Sequence, residues 1–334
     1  MILLIDGDVL AYMACKSREP PVGGFDEDVD YTEEEDLKYL EESWDNFKKL
    51  VSGILDNNWA SDYLMAVKSA FNFRNILYPD YKMNRHKDVS KANKFVPMIR
   101  KLAVKHGMAI EAFNCEADDF LRIWAEQALA ANEEYTVVSI DKDLYCIPGR
   151  HYNPKKEETR VINKLDATRH FYEQLLKGDS VDNIPGIVGI GPKKAEKALA
   201  SCENETEMQE VVVSMYMDAY ALLWHDMLLS NGKMLYLKKT YDDFFRIDTW
   251  PVVQEILPSF LEKHRQVHLL LRSGGAESPA SAPESPKATP GAPTAPRLRP
   301  PPLHAVVPAS GPLPATQPSS ESPKRFKIPG KQNA

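Results

Sequence analysis

Acidic residues recur along this chain in short, closely spaced sets: Asp6 and Asp8; Glu116, Asp118 and Asp119; Asp141 and Asp143; Asp179 and Asp182. Carboxylates are hard oxygen donors, the kind that Mg²⁺ prefers. Two such ions about 4 Å apart can clamp the attacking and leaving oxygens of a phosphodiester, so the chemistry these residues suggest is metal-assisted phosphoryl hydrolysis. Each acid alone has an ordinary reading. Asp is a favoured helix N-cap, which would account for Asp118 or Asp179, and charged turn residues are mostly just solvated. Repetition is what singles the sets out, because like charges packed together repel unless cations neutralise them. No Ser-His-Asp or Cys-His arrangement suggests a protein nucleophile.

The elements around these residues place them at strand ends. Ile2–Ile5 is a short apolar run, expected as a buried parallel strand. After the turn-rich segment Gly23–Asp28 comes a helical stretch from Glu33 to about Leu55. Tyr63–Val67, Ala109–Phe113 and Tyr135–Ile140 read as further strands, and Ala117–Ala131 as a helix. Alternation of this kind predicts an α/β fold with a central, mostly parallel sheet flanked by helices. Sites in such sheets gather beyond the carboxyl ends of the strands, where Asp6, Glu116 and Asp141 fall. From Phe171 to Arg272 no strand is expected and the chain reads as mainly helical, with Trp124, Met208, Met215 and Trp224 as core residues on helical stretches.

The chain has 334 residues, 27% of them charged, enough for a large domain with a real core. No stretch approaches the roughly 20 apolar residues of a membrane span. The apolar start lacks a basic region and is broken at once by Asp6, so no signal peptide is expected. Cys15, Cys115, Cys146 and Cys202 are scattered without a C-x-x-C pair, which fits reduced thiols in a cytoplasmic protein, host cytoplasm if viral. Residues 273–334 hold 15 of the 25 prolines with much Ala and Ser, and are expected to be disordered. Seven lysines and arginines against Glu277, Glu284 and Glu321 give this tail +4, which leaves −11 of the overall −7 on residues 1–272.

Within that acidic body, residues 82–105 carry +7, with Asp88 their only acid. Part of the run reads as an amphipathic helix restarting at Pro97, with Val96, Ile99, Leu102 and Val104 packed and Lys101 and Lys105 solvated. Lys82 and Arg85 are the better candidates for phosphate contact and for stabilising developing charge. Tyr81 is either a base-stacking platform or an ordinary core tyrosine. The segment Ile184–Ala195 combines glycines that allow tight turns with Gly191-Pro192-Lys193, a helix start suited to holding phosphate through backbone N–H groups. Gly189, Gly191, Lys193 and Lys194 are the candidate duplex contacts there, without sequence readout.

Four segments, Ile5-Asp6-Gly7-Asp8, Cys115-Glu116-Ala117-Asp118-Asp119, Ser139-Ile140-Asp141-Lys142-Asp143 and Gly178-Asp179-Ser180-Val181-Asp182-Asn183 running into Ile184-Pro185-Gly186-Ile187-Val188-Gly189-Ile190-Gly191, stand in the order seen in 5′ nucleases. Over roughly residues 1–200 the chain resembles flap endonucleases and, more closely, phage 5′→3′ exonucleases. The resemblance implies a PIN-like catalytic domain over 1–170 with a helical arch around 80–106, a helical DNA-binding subdomain over 171–272 with its glycine-rich hairpin at 184–195, and the tail 273–334. It implies one metal site from Asp6, Glu116 and Asp118 and a second from Asp141, Asp143, Asp179 and Asp182, with Asp8 and Asp119 acting behind them. Two Mg²⁺ ions are expected, Mn²⁺ able to substitute, with K⁺ at the hairpin. The Tyr81-Lys82-Met83-Asn84-Arg85 motif would sit at the base of the arch, Lys82 and Arg85 on the scissile phosphate. One position departs: Ser69 stands where the family carries an aspartate, with Asp8 the nearest candidate to compensate. The function implied is metal-dependent 5′→3′ exonuclease or flap endonuclease action on DNA ends and flaps in replication, leaving 5′-phosphates, with RNA–DNA hybrids as further substrates and a replication protein docking on the tail. The alternatives are a PIN-type ribonuclease, which does not predict the arch motif or the hairpin, and a junction-binding protein with weakened catalysis, for which Ser69 is the support.

Overall fold

Residues Ile2–Asp6 (β1) are buried along their whole length, as expected of an apolar run with protein on both faces. The computed structural model describes residues 1–15, 32–84 and 94–273, with side chains through Glu262. β1 lies at the centre of a six-stranded sheet of order β3-β2-β1-β4-β5-β6, formed with Asp62–Asn72 (β2), Ile110–Asn114 (β3), Tyr135–Val138 (β4), Gly149–Asn153 (β5) and Glu158–Ile162 (β6). The first five are parallel; β6 pairs antiparallel with β5, Gly149 opposite Ile162.

Alternate residues of the sheet serve opposite cores. Leu3, Ile5, Met65 and Val67 pack beneath Gly7–Ala14 (α1), Glu33–Asn57 (α2) and Val96–Lys105 (α4). Ile2, Leu4, Leu64 and Ala66 pack on Ala117–Ala130 (α5), where Leu121 and Trp124 are buried. A short helix, Phe73–Leu77 (α3), follows β2 directly. α2 begins where its sequence says it should: Thr32 and Glu35 form a reciprocal capping box.

The mostly parallel sheet and the strands at 2–5, 63–67, 109–113 and 135–140 agree with the sequence reading, β2 running on to Asn72. The β5–β6 hairpin was not anticipated. Its strands lack an apolar run, and Glu158, Thr159, Arg160 and Val161 are all exposed on the sheet's outer edge. Within the span expected as an arch, residues 85–93, which include Arg85, lie outside the described residues. α4, at the end of that span, packs on the body, with Val96, Ile99 and Ala103 buried against its neighbours.

After Lys164–Lys177 (α6), the chain is helical, as expected: Pro192–Leu199 (α7), Glu205–Tyr220 (α8), Trp224–Leu235 (α9) and Pro251–Ser273 (α10). α7 starts with Gly191 at its cap and Pro192 at the first position. Met208 and Trp224 are fully buried in this helical core, with Met215 packed against it. Met1–Phe260 form one compact unit. All four cysteines are free and buried.

Candidate active site

The strand order reverses between β1 and β4, and a crevice opens beyond the carboxyl ends of the strands at such a point. A cleft of about 920 Å³ lies there. Asp6, Glu116, Asp118, Asp141, Asp143, Asp179 and Asp182 all line it, as do Lys82, Asp8 and Arg100. Four segments spread between positions 6 and 182 thus meet in one place.

Each acid is set by its own element. Asp6 ends β1 and caps α1: its Oδ1 accepts from the N–H groups of Asp8 (3.0 Å) and Val9 (3.1 Å), and its Oδ2 from Ser139 Oγ (2.8 Å). Ser139 Oγ also accepts from Asp141 N–H, which ties the β1 and β4 ends together. Asp141 Oδ1 accepts from Asp143 N–H, and Asp143 Oδ1 from the buried Gln174 of α6 at 2.7 Å. Glu116 is the N-cap of α5 and shares a capping box with Asp119.

Asp179 and Asp182 ride on a loop that closes on itself. Asp179 and Ile184 exchange both backbone hydrogen bonds, and Asp179 Oδ1 accepts from Val181 and Asp182 N–H. Gly178 and Gly186 cross at the loop's base, both with positive φ; a Cβ on Gly186 would stand 2.3 Å from the nitrogen of Gly178. Only glycine fits both positions. The Tyr81–Asn84 segment is pinned on this loop by Lys82 N–H to Asp182 O and Asn84 Nδ2 to Ser180 O, both 3.0 Å.

Lys82 has a left-handed backbone (φ 60°), and its ammonium points into the cleft against the Glu116 carboxylate, with Asp182 Oδ2 at 3.6 Å. Tyr81 resolves to the packed alternative. It is 5% exposed and its hydroxyl donates to Glu116 Oε2 at 2.9 Å, so its ring face is not offered for base stacking. Asp8 is not a spare ligand: Oδ2 accepts from Lys68 N–H at 3.1 Å and Oδ1 lies 2.5 Å from Arg100 Nε. Ser69 Oγ is spent locally, donating to Phe71 O at 2.6 Å. Gly189, Gly191, Lys193 and Lys194 do not line the cleft; Lys193 and Lys194 are exposed at the start of α7, and Lys194 Nζ donates to Gly189 O.

Behind the cleft Asp119, expected there from sequence, is paired with Arg74, which the sequence did not single out. Arg74 of α3 is fully buried and forks onto Asp119, Nη1 to Oδ2 at 2.7 Å and Nη2 to Oδ1 at 2.9 Å. Asp119 is held low by Arg74 against the opposing effect of burial. A lone arginine after a strand carries no sequence signal of this kind; nor does Gln174, whose only hint is its place one turn before the Gly178 loop.

The electrostatics match a cation site. Burial, then repulsion from Asp8 and Asp141, pushes the Asp6 carboxyl up to about 7. Burial, then Asp141, Asp179 and Asp182, lifts Asp143 to about 6. Asp118 is raised well above the usual range by burial and by Asp6, Asp141 and Glu116. Glu116 goes the other way: burial opposes its charge, but Arg74 and Lys82 hold it ionised. As the side chains are turned, no three acids among the described residues already stand close enough to hold an ion. The crowding of charge is nonetheless of the kind that hard cations relieve, and the donor set is all oxygen, which suits Mg²⁺ or Mn²⁺.

The family described as 5′-3′ exonuclease, N-terminal resolvase-like domain, matches residues 1–173. DNA polymerase I of Rhizobium leguminosarum is 36% identical over 160 residues, covering 43% of this chain and 16% of the polymerase. A 5′-3′ exonuclease of Aquifex aeolicus (strain VF5) is 33% identical over 144 residues, 39% of this chain and 50% of that protein. The chain therefore spans half or less of the length of these two relatives. Among solved structures, the T5 D15 protein co-crystallised with metal ions shares the fold at a TM-score of 0.50 and 13% identity, over 80% of this chain and 98% of that one.

Proposed function

The chain belongs to the 5′-3′ exonuclease family, and from that premise we propose that it is a divalent-metal-dependent 5′ nuclease hydrolysing DNA phosphodiesters at free 5′ ends and flaps. The observation that carries this reading is the meeting of the seven candidate-ligand carboxylates, with Asp8 and Lys82, in one cleft at the strand-order reversal. Asp6, Glu116 and Asp118 would hold one ion, and Asp141, Asp143, Asp179 and Asp182 a second. Such ions, Mg²⁺ or Mn²⁺, supply charge neutralisation for the phosphate and a water acidified enough to attack near neutral pH.

The protein's own part is positioning. Without cations the cleft repels a phosphate, so substrate admission and metal loading are coupled. Lys82, held by its backbone bond to Asp182, offers its ammonium to a non-bridging phosphate oxygen and stabilises charge that grows during the reaction. Ser139 and Gln174 keep Asp6 and Asp143 turned into the cleft. Residues 171–272 act as the duplex-gripping part, Lys193 and Lys194 meeting backbone phosphates beside Gly189 and Gly191, with K⁺ as a further ligand of that hairpin. Contacts of this sort select shape and a free end rather than sequence, and RNA–DNA hybrids fall within reach. Arg85 and a replication-protein contact through the tail belong to the same reading but lie outside the described residues.

The test is cleavage of 5′-labelled duplex and 5′-flap DNA in Mg²⁺, with chelator and an Asp141→Ala/Asp143→Ala variant as controls. Short 5′ products lost in both controls are expected. DNA that is bound but uncut in both Mg²⁺ and Mn²⁺ would instead favour a junction-binding protein whose catalysis has decayed, the reading that Ser69 supports.

A further inference from the structure

Arg74 lies outside the cleft lining, yet every arm of its guanidinium is committed. Besides the fork onto Asp119, Nε donates to Met234 O at 2.9 Å, in the last turn of α9, and Nη2 to Tyr236 O at 2.7 Å, just past its end. Asp119 is equally committed: Oδ2 also accepts from Glu116 N–H at 2.9 Å and Oδ1 from Lys238 N–H at 3.1 Å. The second acid in reach is Glu116 itself, whose Oε2 lies 3.8 Å from Arg74 Nη1. Three elements far apart in sequence therefore converge on one buried cation: α3, the start of α5, and the strap Met234–Lys238.

Stability alone is a poor account of this arrangement. A buried ion pair costs desolvation, and well-packed apolar residues of similar volume often serve as well or better. What an apolar pair cannot do is fix the direction of a neighbouring carboxylate. Arginine is always charged and its planar fork sets orientation as well as distance. Glu116 receives Arg74 from behind, Tyr81 from one side and Lys82 from the front. Of these, Arg74 alone is wholly withdrawn from solvent.

We propose that Arg74 is a positioning residue: through Asp119 and the field it places behind Glu116, it fixes that carboxylate for cation binding, and it makes the strap after α9 part of the catalytic apparatus. This rests on the metal-nuclease reading above. The strap, whose Met234, Leu235 and Leu237 line the cleft, would then couple the state of the helical half to Glu116 through Arg74 and Asp119.

The experiment uses the full chain and Mn²⁺ as the probe, followed by calorimetry or by electron paramagnetic resonance of free Mn²⁺. Arg74→Met/Asp119→Leu removes both charges and also the partners of Met234 O, Tyr236 O and the Glu116 and Lys238 N–H groups; it is expected to melt cooperatively at a lower temperature than the parent and, measured well below that temperature, to bind Mn²⁺ about 10-fold to 100-fold more weakly. Glu116→Gln alone should weaken binding by a similar factor, and adding it to the double variant should cost little more, because both changes act through one carboxylate. Arg74→Lys, which keeps the charge and loses the fork, covers the case in which the double variant does not fold, and is expected to show an intermediate loss with the same non-additivity. Unchanged Mn²⁺ affinity, or losses that simply add to that of Glu116→Gln, overturns the proposal while leaving the nuclease reading standing. A parent protein that binds no Mn²⁺ and cuts nothing overturns both.

Discussion

Lys82 shows how much a single residue contributes here. Its ammonium faces Glu116 and Asp182 from a strained left-handed backbone, so its position is imposed by the loop rather than chosen by the side chain. Lys82→Ala is expected to lower single-turnover cleavage by about 10²-fold to 10³-fold with little change in duplex affinity, the signature of charge stabilised mainly during reaction. The raised acids give a pH prediction of definite sign. Asp6 ionises near 4 in an unfolded chain and near 7 here, and Asp143 near 6, so the folded protein binds more protons between those values. In chelator, their contribution to stability is present below about pH 4 and is lost as pH rises towards 7. His170, pushed down to about 4 by burial, acts oppositely below its ordinary value, so the informative quantity is the melting temperature in Mg²⁺ minus that in chelator. That difference should be near zero at pH 5.5 and grow to roughly 5 °C at pH 8; a difference independent of pH would remove these acids from the ion sites. The seven acids could be named from sequence because each lies in a recognisable motif, five of them at the end of a strand. Arg74, Ser139 and Gln174 could not, since their roles consist of reaching partners 45, 133 and 31 positions away.

At the scale of elements, the loop between Gly178 and Gly186 carries two ligands and tolerates the least. Gly186→Ala demands a side chain at φ 58° with its Cβ 2.3 Å from the Gly178 nitrogen. The backbone conformation alone costs about 1–3 kcal/mol. Urea unfolding should show at least that loss, and cleavage should fall further than stability because Asp179 and Asp182 move with the loop. An activity that merely tracks the folded fraction would mean the loop does not place its acids. The glycine pattern of this loop was visible in sequence; its crossing was not, because backbone contact between Gly178 and Gly186 leaves no trace in side-chain periodicity. The same limit explains β5 and β6. β1 and β4 announced themselves as apolar runs buried on both faces, whereas β6 is an edge strand of Glu, Thr, Arg and an exposed Val, indistinguishable by pattern from a polar loop. The helix after Pro97 was legible as amphipathic, but which surface received its apolar face became clear only from the packing on α1 and α2.

Across the whole molecule, charge is divided between an acidic cleft and lysines elsewhere in a body of net −11 on residues 1–272. If Lys193 and Lys194 meet duplex phosphates, Lys193→Ala/Lys194→Ala should weaken binding by the same factor for any sequence and flatten the dependence of log affinity on log salt by about two phosphate contacts' worth. A sequence-dependent loss would contradict backbone recognition. Among the described residues no helix is long and apolar enough to cross a membrane. Lys82 has one more consequence at this scale. With its ammonium already seated among the carboxylates, the cleft resembles an ion-exchange resin supplied in its ammonium form, the exchangeable ion being tethered by a peptide chain. At Glu116 and Asp182, loading with a divalent ion is then a swap that releases no free monovalent ion, so its equilibrium should respond less to added KCl than duplex binding, which sheds free counterions. The two salt sensitivities of one protein would be set by whether the displaced cation can diffuse away.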